Sequence, residues 1–155
     1  MHWMILPFKR YFEFSGRSRR KEFWMFQLLN ALVSFAIFAI MLSGGGFQYF
    51  SSADPDSLAD NSLSIALLVG AGLLGIWALA VLSPSIAVTV RRLHDRGISG
   101  WWYGGLLIES FIPILNVLAG FGMLALLVVM MLDGTDGPNK YGPDPKDPSQ
   151  ASVFE

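Results

Sequence analysis

The sequence predicts an all-α integral membrane protein, a small polytopic bundle of about four membrane segments with an interfacial N-terminal arm. Three observations carry that expectation. The 155 residues are 53% hydrophobic and only 15% charged, against about 25% charged in a typical soluble domain. The mean hydropathy is +0.48. The apolar residues also gather in three long runs, Phe23–Leu42, Asn61–Val90 and Ile98–Leu132, of which only the last contains a charge, Glu109. A helix at the surface of a soluble protein needs a polar face, and runs of this length leave none.

The opening segment, HWMILPFKRYFEF, mixes bulky apolar side chains with Lys9 and Arg10. That mixture predicts a short amphipathic arm in the cytoplasmic interface. The first apolar run has 20 residues and as a helix would span about 30 Å, the thickness of a bilayer's hydrocarbon layer. It exceeds the apolar region of a cleaved signal peptide, and no small-x-small site closes it, so it reads as a retained signal anchor. In the second run Ala66 and Gly70, with Ala71 and Gly75, set small residues at four-residue spacing, which permits close helix contact.

The third stretch would reach about 50 Å as one straight helix, too long for a single crossing without extreme tilt. Pro113 and Asn116 interrupt it. The expected result is a short or re-entrant segment near 101–112, followed by a full segment near 114–132. The chain is then one membrane domain over 1–145, with spans near 22–42, 63–90, 101–112 and 114–132, and a disordered tail over 146–155. Phe23, Trp24 and Phe26 at one boundary, and Trp101, Trp102 and Tyr103 at another, are suited to anchoring at the membrane interface.

Lysine and arginine set the orientation. Lys9, Arg10, Arg17, Arg19, Arg20 and Lys21 precede the first span, and Arg91, Arg92 and Arg96 follow the second. The Ser43–Asn61 loop between them has neither, only Asp54, Asp56 and Asp60 among Gly, Ser and Pro. This places the N-terminus and the 91–100 loop in the cytoplasm and the acidic loop outside. Lys140 and Lys146 favour a cytoplasmic tail and an even number of crossings. Three crossings with the tail outside is the competing arrangement.

Several classes of chemistry are disfavoured. The chain has no cysteine, which removes disulfides, thiolate nucleophiles and cysteine-ligated metals. A net charge of −1 argues against nucleic-acid binding. With two histidines and no H-x-x-x-H spacing, no metal and no cofactor is expected. Phosphate-cradling glycine loops, the G-x-S-x-G elbow and the D-G-x-x-A-R pattern of headgroup transferases are absent as well.

Three polar boxes remain, at the membrane edges. The first runs from Phe14 to Trp24 through Ser15-Gly16-Arg17-Ser18-Arg19-Arg20-Lys21-Glu22, where Ser15 or Ser18 is a candidate helix cap. The second is Arg91-Arg92-Leu93-His94-Asp95-Arg96-Gly97-Ile98-Ser99-Gly100-Trp101-Trp102, and the third runs from Gly134 to Pro145. In this order and at these positions the boxes resemble a bacterial inner-membrane family, domain-of-unknown-function family 805. Its pattern is a G-R-x-R-R-x-E-[FY]-W box, an R-R-L-H-D-x-x-x-x-[GA]-W-W box and a tail G-x-N-[RK]-[FY]-G-P-D-P. Gly16–Trp24, Arg91–Trp102 and Gly137–Pro145 match all three. The resemblance covers roughly residues 8–145; it implies fold and bacterial inner-membrane location and supplies no reaction.

The boxes suggest where function lies. With Lys9 and Arg10, the first two place nine Lys and Arg residues at the cytoplasmic face. Arginine's planar fork suits phosphate, and basic residues beside a membrane gain about 1 kcal/mol each near anionic lipid. Arg17, Arg19, Arg20, Arg91, Arg92, His94, Asp95 and Arg96 are therefore candidates for binding a headgroup or partner. The plainer alternative is that the charges only enforce topology. Adjacent side chains on a helix point about 100° apart, so His94 and Asp95 do not make a metal site by themselves, and a structural role is favoured. Glu109, the one ionisable group inside an apolar stretch, is a candidate intramembrane site. Asp133, Asp136 and Asn139 recur every third residue, which misses calcium-loop spacing. The tail turn is instead expected to dock on the Arg-rich loop through Asp136, Asn139 and Asp144, with Asp136 or Asp144 pairing with Arg91, Arg92 or Arg96.

The leading expectation is a non-enzymatic module that binds membrane lipids, anionic ones above all, or other membrane proteins or copies of itself. An oligomeric transporter or channel component using Glu109 is the first alternative. An intramembrane enzyme acting on a phospholipid through His94 and Asp95 is the second.

Overall fold

The computed structural model describes residues 2–43 and 61–147, with 61–64 and 66 by backbone alone. The acidic loop with Asp54, Asp56 and Asp60, the Ala66 side chain and most of the 146–155 tail lie outside the described residues. Among those described, five helices and no strand occur: α1 His2–Lys9, α2 Arg20–Met41, α3 Asn61–Asp95, α4 Trp101–Ser110 and α5 Asn116–Met131. The all-helical membrane fold expected from composition is the one observed.

Length separates the helices into two kinds. The 22 residues of α2 and 35 of α3 reach about 33 and 52 Å, long enough to cross a bilayer. The 10 residues of α4 and 16 of α5 reach only about 15 and 24 Å. The second pair forms a hairpin. Its turn lies at 111–115 around Pro113, and the Asn116 side-chain amide donates to the Ser110 carbonyl at 2.8 Å across it. The arms approach closely, for a Cβ on Gly122 would meet the Leu106 side chain.

The chain forms two compact units, one of residues 27–82 and one of 1–26 together with 83–155. In the first, Met41 packs so tightly against Gly70 that a Cβ there would collide with it. Small residues do permit close contact in α3, although at Gly72 and Gly75 a Cβ would meet nothing. Large apolar side chains point outward, Phe35 and Leu68 being 71% and 72% exposed. Such a surface is costly in water and natural against lipid.

The second unit inverts the usual soluble arrangement. Arg17, Ser18, Glu22, Arg91, Arg92 and Asp95 are buried, while Trp101, Phe111 and Ile114 are exposed. Buried charges persist only when paired, so this interior must be a network. The N-terminal arm joins it through Phe8, which sets its ring edge-on to Phe26 with centroids 5.5 Å apart. Ser83 Oγ also donates to the Tyr11 carbonyl at 2.8 Å.

One boundary differs from expectation in a way that matters. The second span was expected to end near residue 90 and the Arg-rich box to form a loop, but α3 continues through Asp95. Part of the reason is local. Arg92 and Asp95 form an i,i+3 ion pair on the helix surface. The helix then stops in a Schellman motif, in which Gly97 has φ +71° and its N–H donates to His94 O at 2.9 Å. The Ile98 N–H donates to Leu93 O at 3.0 Å. Glycine is the residue that reaches this left-handed conformation without strain.

Candidate functional site

The polar interior is built around Arg17. Gly16 turns the chain at φ +82°, and the next side chain enters the protein. Arg17 Nε donates to Asp95 Oδ1 at 2.9 Å, Nη1 to Gly137 O at 2.6 Å and Nη2 to Thr135 O at 2.6 Å. One guanidinium thus joins the first box, the end of α3 and the tail, using the fixed fork that lysine lacks. The other Asp95 carboxylate oxygen accepts from Arg92, whose guanidinium also donates to Leu132 O.

The tail satisfies the end of α3. Thr135 donates to Asp95 O twice, from its N–H at 2.9 Å and its hydroxyl at 3.1 Å. Asn139 Nδ2 donates to His94 O at 3.0 Å. These are carbonyls that a helix terminus leaves without an intrahelical partner. Gly134 packs so tightly here that a Cβ would overlap the Asp95 carboxylate. Asp144 closes the turn by accepting from the N–H groups of Lys146 at 2.9 Å and Gly137 at 3.1 Å. Those two donors, with Arg17 nearby, hold its carboxyl below the ordinary carboxylate value.

A second buried pair stands beside the first. Glu22 Oε1 lies 3.1 Å from Arg91 Nη2, and Ser18 Oγ donates to Glu22 Oε2 at 2.8 Å. The Ser18 N–H donates to Arg91 O at 3.2 Å. Ser18 therefore ties α2 to α3 through a carboxylate. Capping the α2 backbone, expected of Ser15 or Ser18, is not the role its hydroxyl has.

The expected site residues thus fall into different roles. Arg17, Arg91 and Arg92 are 2%, 0% and 0% exposed, so they hold the fold together and do not face a ligand. Arg96 donates to Asp133 O and Arg19 to Pro145 O, both within the same unit. Arg20 is on the surface, 42% of its side chain exposed, with Nη2 2.5 Å from Asp133 Oδ1. The tail does contact the Arg-rich box, through Asn139 as expected, but its ion pairs are not the expected ones. Asp144 lies 4.0 Å from Arg17, not beside Arg91, Arg92 or Arg96. Asp136 is exposed and has no ion pair among the described residues; its place is taken by Asp95, Thr135 and backbone carbonyls.

His94 and Asp95 part company. The His94 ring stacks on Tyr141, centroids 3.9 Å apart and planes 6° from parallel, with Nδ1 3.2 Å from Gly16 O. Asp95 is committed to two arginines, so the two side chains do not form an acid–base dyad. The stack lines one wall of a cleft of about 540 Å³ between the end of α3 and the start of α4. Glu109 is half-buried beside a separate cleft of about 400 Å³, with Ser99, Trp102 and Leu106. It has no ion pair among the described residues. A third groove, of about 610 Å³, lies at the α2 entry and is lined by Arg20, Lys21, Trp24, Met25 and Met131.

Sequence reasoning missed Tyr141 and Thr135, which carry no charge, and the Ser18–Glu22–Arg91 chain. The only advance signal for that chain was the burial a lone carboxylate inside a basic cluster invites.

Fold and site together define a small helical membrane protein whose polar segments lock into one ion-paired core. The chain belongs to the family described as protein of unknown function (DUF805), whose pattern matches residues 11–143. It is 37% identical to the inner membrane protein YhaI of Escherichia coli strain K12, over 94% of this chain and 97% of that one. It is 33% identical to the inner membrane protein YhaH of the same strain, over 94% and 98%. To the uncharacterized protein YiiR it is 30% identical over 88% of each. No solved structure matches the chain.

Proposed function

We propose that this is a non-enzymatic inner-membrane module that binds anionic lipid headgroups at its cytoplasmic face. The observation that carries the reading is the groove at the start of α2. Two cations, Arg20 and Lys21, stand over an apolar floor of Trp24, Met25 and Met131. That is the chemistry of a phosphate with an acyl chain beneath it: cations for the headgroup, an interfacial tryptophan, and adaptable thioethers for the tail. The headgroup contact therefore moves from the buried arginines to this exposed rim.

Orientation rests on the Lys and Arg bias of the first two boxes. The ion pairs joining those boxes to the tail support a tail on the same side, with α4–α5 entering and leaving the membrane as a hairpin. The separate engagement of His94 and Asp95 supports a role without acid–base catalysis. The test is lipid retention in bilayer discs containing phosphatidylglycerol and phosphatidylethanolamine, read by native mass spectrometry. R20Q with K21Q is expected to lower bound phosphatidylglycerol several-fold and to leave phosphatidylethanolamine unchanged. Equal retention of phosphatidylglycerol by the double variant and the parent protein would sink the reading.

A further inference from the structure

The cleft beside His94 differs in kind from the headgroup groove. No charged side chain lines it, and half of its lining residues are aromatic, among them Phe14, Trp101, Tyr103 and Tyr141. Its volume, about 540 Å³, is that of a small-molecule site: mostly apolar, with a few convergent polar groups. Two of those groups lack partners. Neither His94 Nε2 nor the Tyr103 hydroxyl has a hydrogen-bond partner among the described residues.

The His94 tautomer follows from its other nitrogen. Gly16 O can only accept, so Nδ1 carries the proton at that 3.2 Å contact. The neutral ring then offers a lone pair at Nε2, and stacking on Tyr141 holds that nitrogen in place. An acceptor in an uncharged aromatic cleft selects a flat, uncharged ligand that brings a hydroxyl donor. A cleft at the end of a membrane helix also selects one that dissolves in lipid.

We propose that this cleft binds a membrane hydroquinone, its ring between the aromatic side chains and one phenolic O–H donating to His94 Nε2. The reduced form is preferred because a quinone carbonyl has no proton to give. This site is independent of the Arg20–Lys21 groove, so either can fail without the other.

Two substitutions separate binding from folding. Gly104 lines the cleft, and a Cβ there meets only the Trp101 ring, at 3.7 Å. G104L therefore fills the cavity without backbone strain on a helix that leucine favours. H94N keeps an amide to donate to Gly16 O and removes the Nε2 acceptor. The experiment is equilibrium binding of a short-tailed ubiquinol, and separately of its oxidised quinone, to the protein in bilayer discs, read by tryptophan quenching. The parent protein is expected to bind the reduced form about 3- to 10-fold more tightly, the worth of one neutral hydrogen bond. H94N should lose that preference and G104L should lose saturable binding of both forms, with helical circular dichroism unchanged in each. No saturable binding, equal affinity for the two forms in the parent protein, or unchanged binding in G104L would each overturn the proposal.

Discussion

Arg17 and Asp95 lie 78 residues apart in the chain, yet Arg17 Nε donates to Asp95 Oδ1 at 2.9 Å with both side chains almost fully buried. This pair fixes the start of the first transmembrane helix to the end of the second. Because Arg17 also holds Thr135 O and Gly137 O, the same side chain fixes the tail.

Replacing Arg17 should therefore be severe. R17L leaves Asp95 with Arg92 alone and frees two tail carbonyls, and breaking a buried pair costs about 3–5 kcal/mol. R17K should recover little, since an ammonium cannot reproduce the three-way fork. Thermal unfolding in detergent measures both, and an unchanged midpoint in R17L would show that the pair contributes nothing.

Gly134 should tolerate no side chain. In G134A the new Cβ would overlap the Asp95 carboxylate, so residues 133–145 should lose hydrogen-exchange protection. G120A is the matched control, for a Cβ there meets nothing within 4 Å. Equal protection in the two variants would contradict the close approach.

Acid should release the tail. The Asp144 carboxyl is lowered from its ordinary 3.8 by the Lys146 and Gly137 N–H groups and by Arg17. A carboxyl with a depressed folded value stabilises fully above its unfolded value and stops doing so as pH falls through the folded one. Docking should thus be constant from neutral pH to about pH 5 and weaken below pH 4. D144N should flatten that acid limb, which proteolysis of the tail against pH can follow. An identical limb in D144N would move the effect to another group.

Topology is directly measurable, because the chain has no native cysteine. Single cysteines at Ser15 and Lys140 should react with a membrane-impermeant maleimide from the same side, and one at Ser52 from the other. Labelling of positions 15 and 140 from opposite sides would remove the shared ion-paired core.

Much of this was legible in the sequence for physical reasons. Charge-free runs mark α2 and α3 because lipid tolerates no alternative, and Pro113 marks the α4–α5 turn because it cannot continue a helix. The roles of the arginines were not legible. Lysine and arginine at a membrane edge read alike as topology signals, whether a side chain stays at the surface, as Arg20 does, or turns inward, as Arg17 does. What separates them is the approach of three distant segments, and that depends on backbone carbonyls at Thr135 and Gly137 that carry no side-chain signature. The end of α3 was misplaced for a related reason: its last turn is stabilised by pairing with residues about 40 positions later.

The Arg17 fork also imposes an order on biosynthesis. The ribosome delivers the guanidinium early and two of its three acceptors, the carbonyls of Thr135 and Gly137, more than a hundred residues later. Until α5 and the turn after it have been made, Arg17 and the end of α3 lack those partners. Helices α2 and α3 are long and apolar enough to cross a bilayer by themselves, but their polar ends become a finished structure only when the turn after α5 arrives to close it.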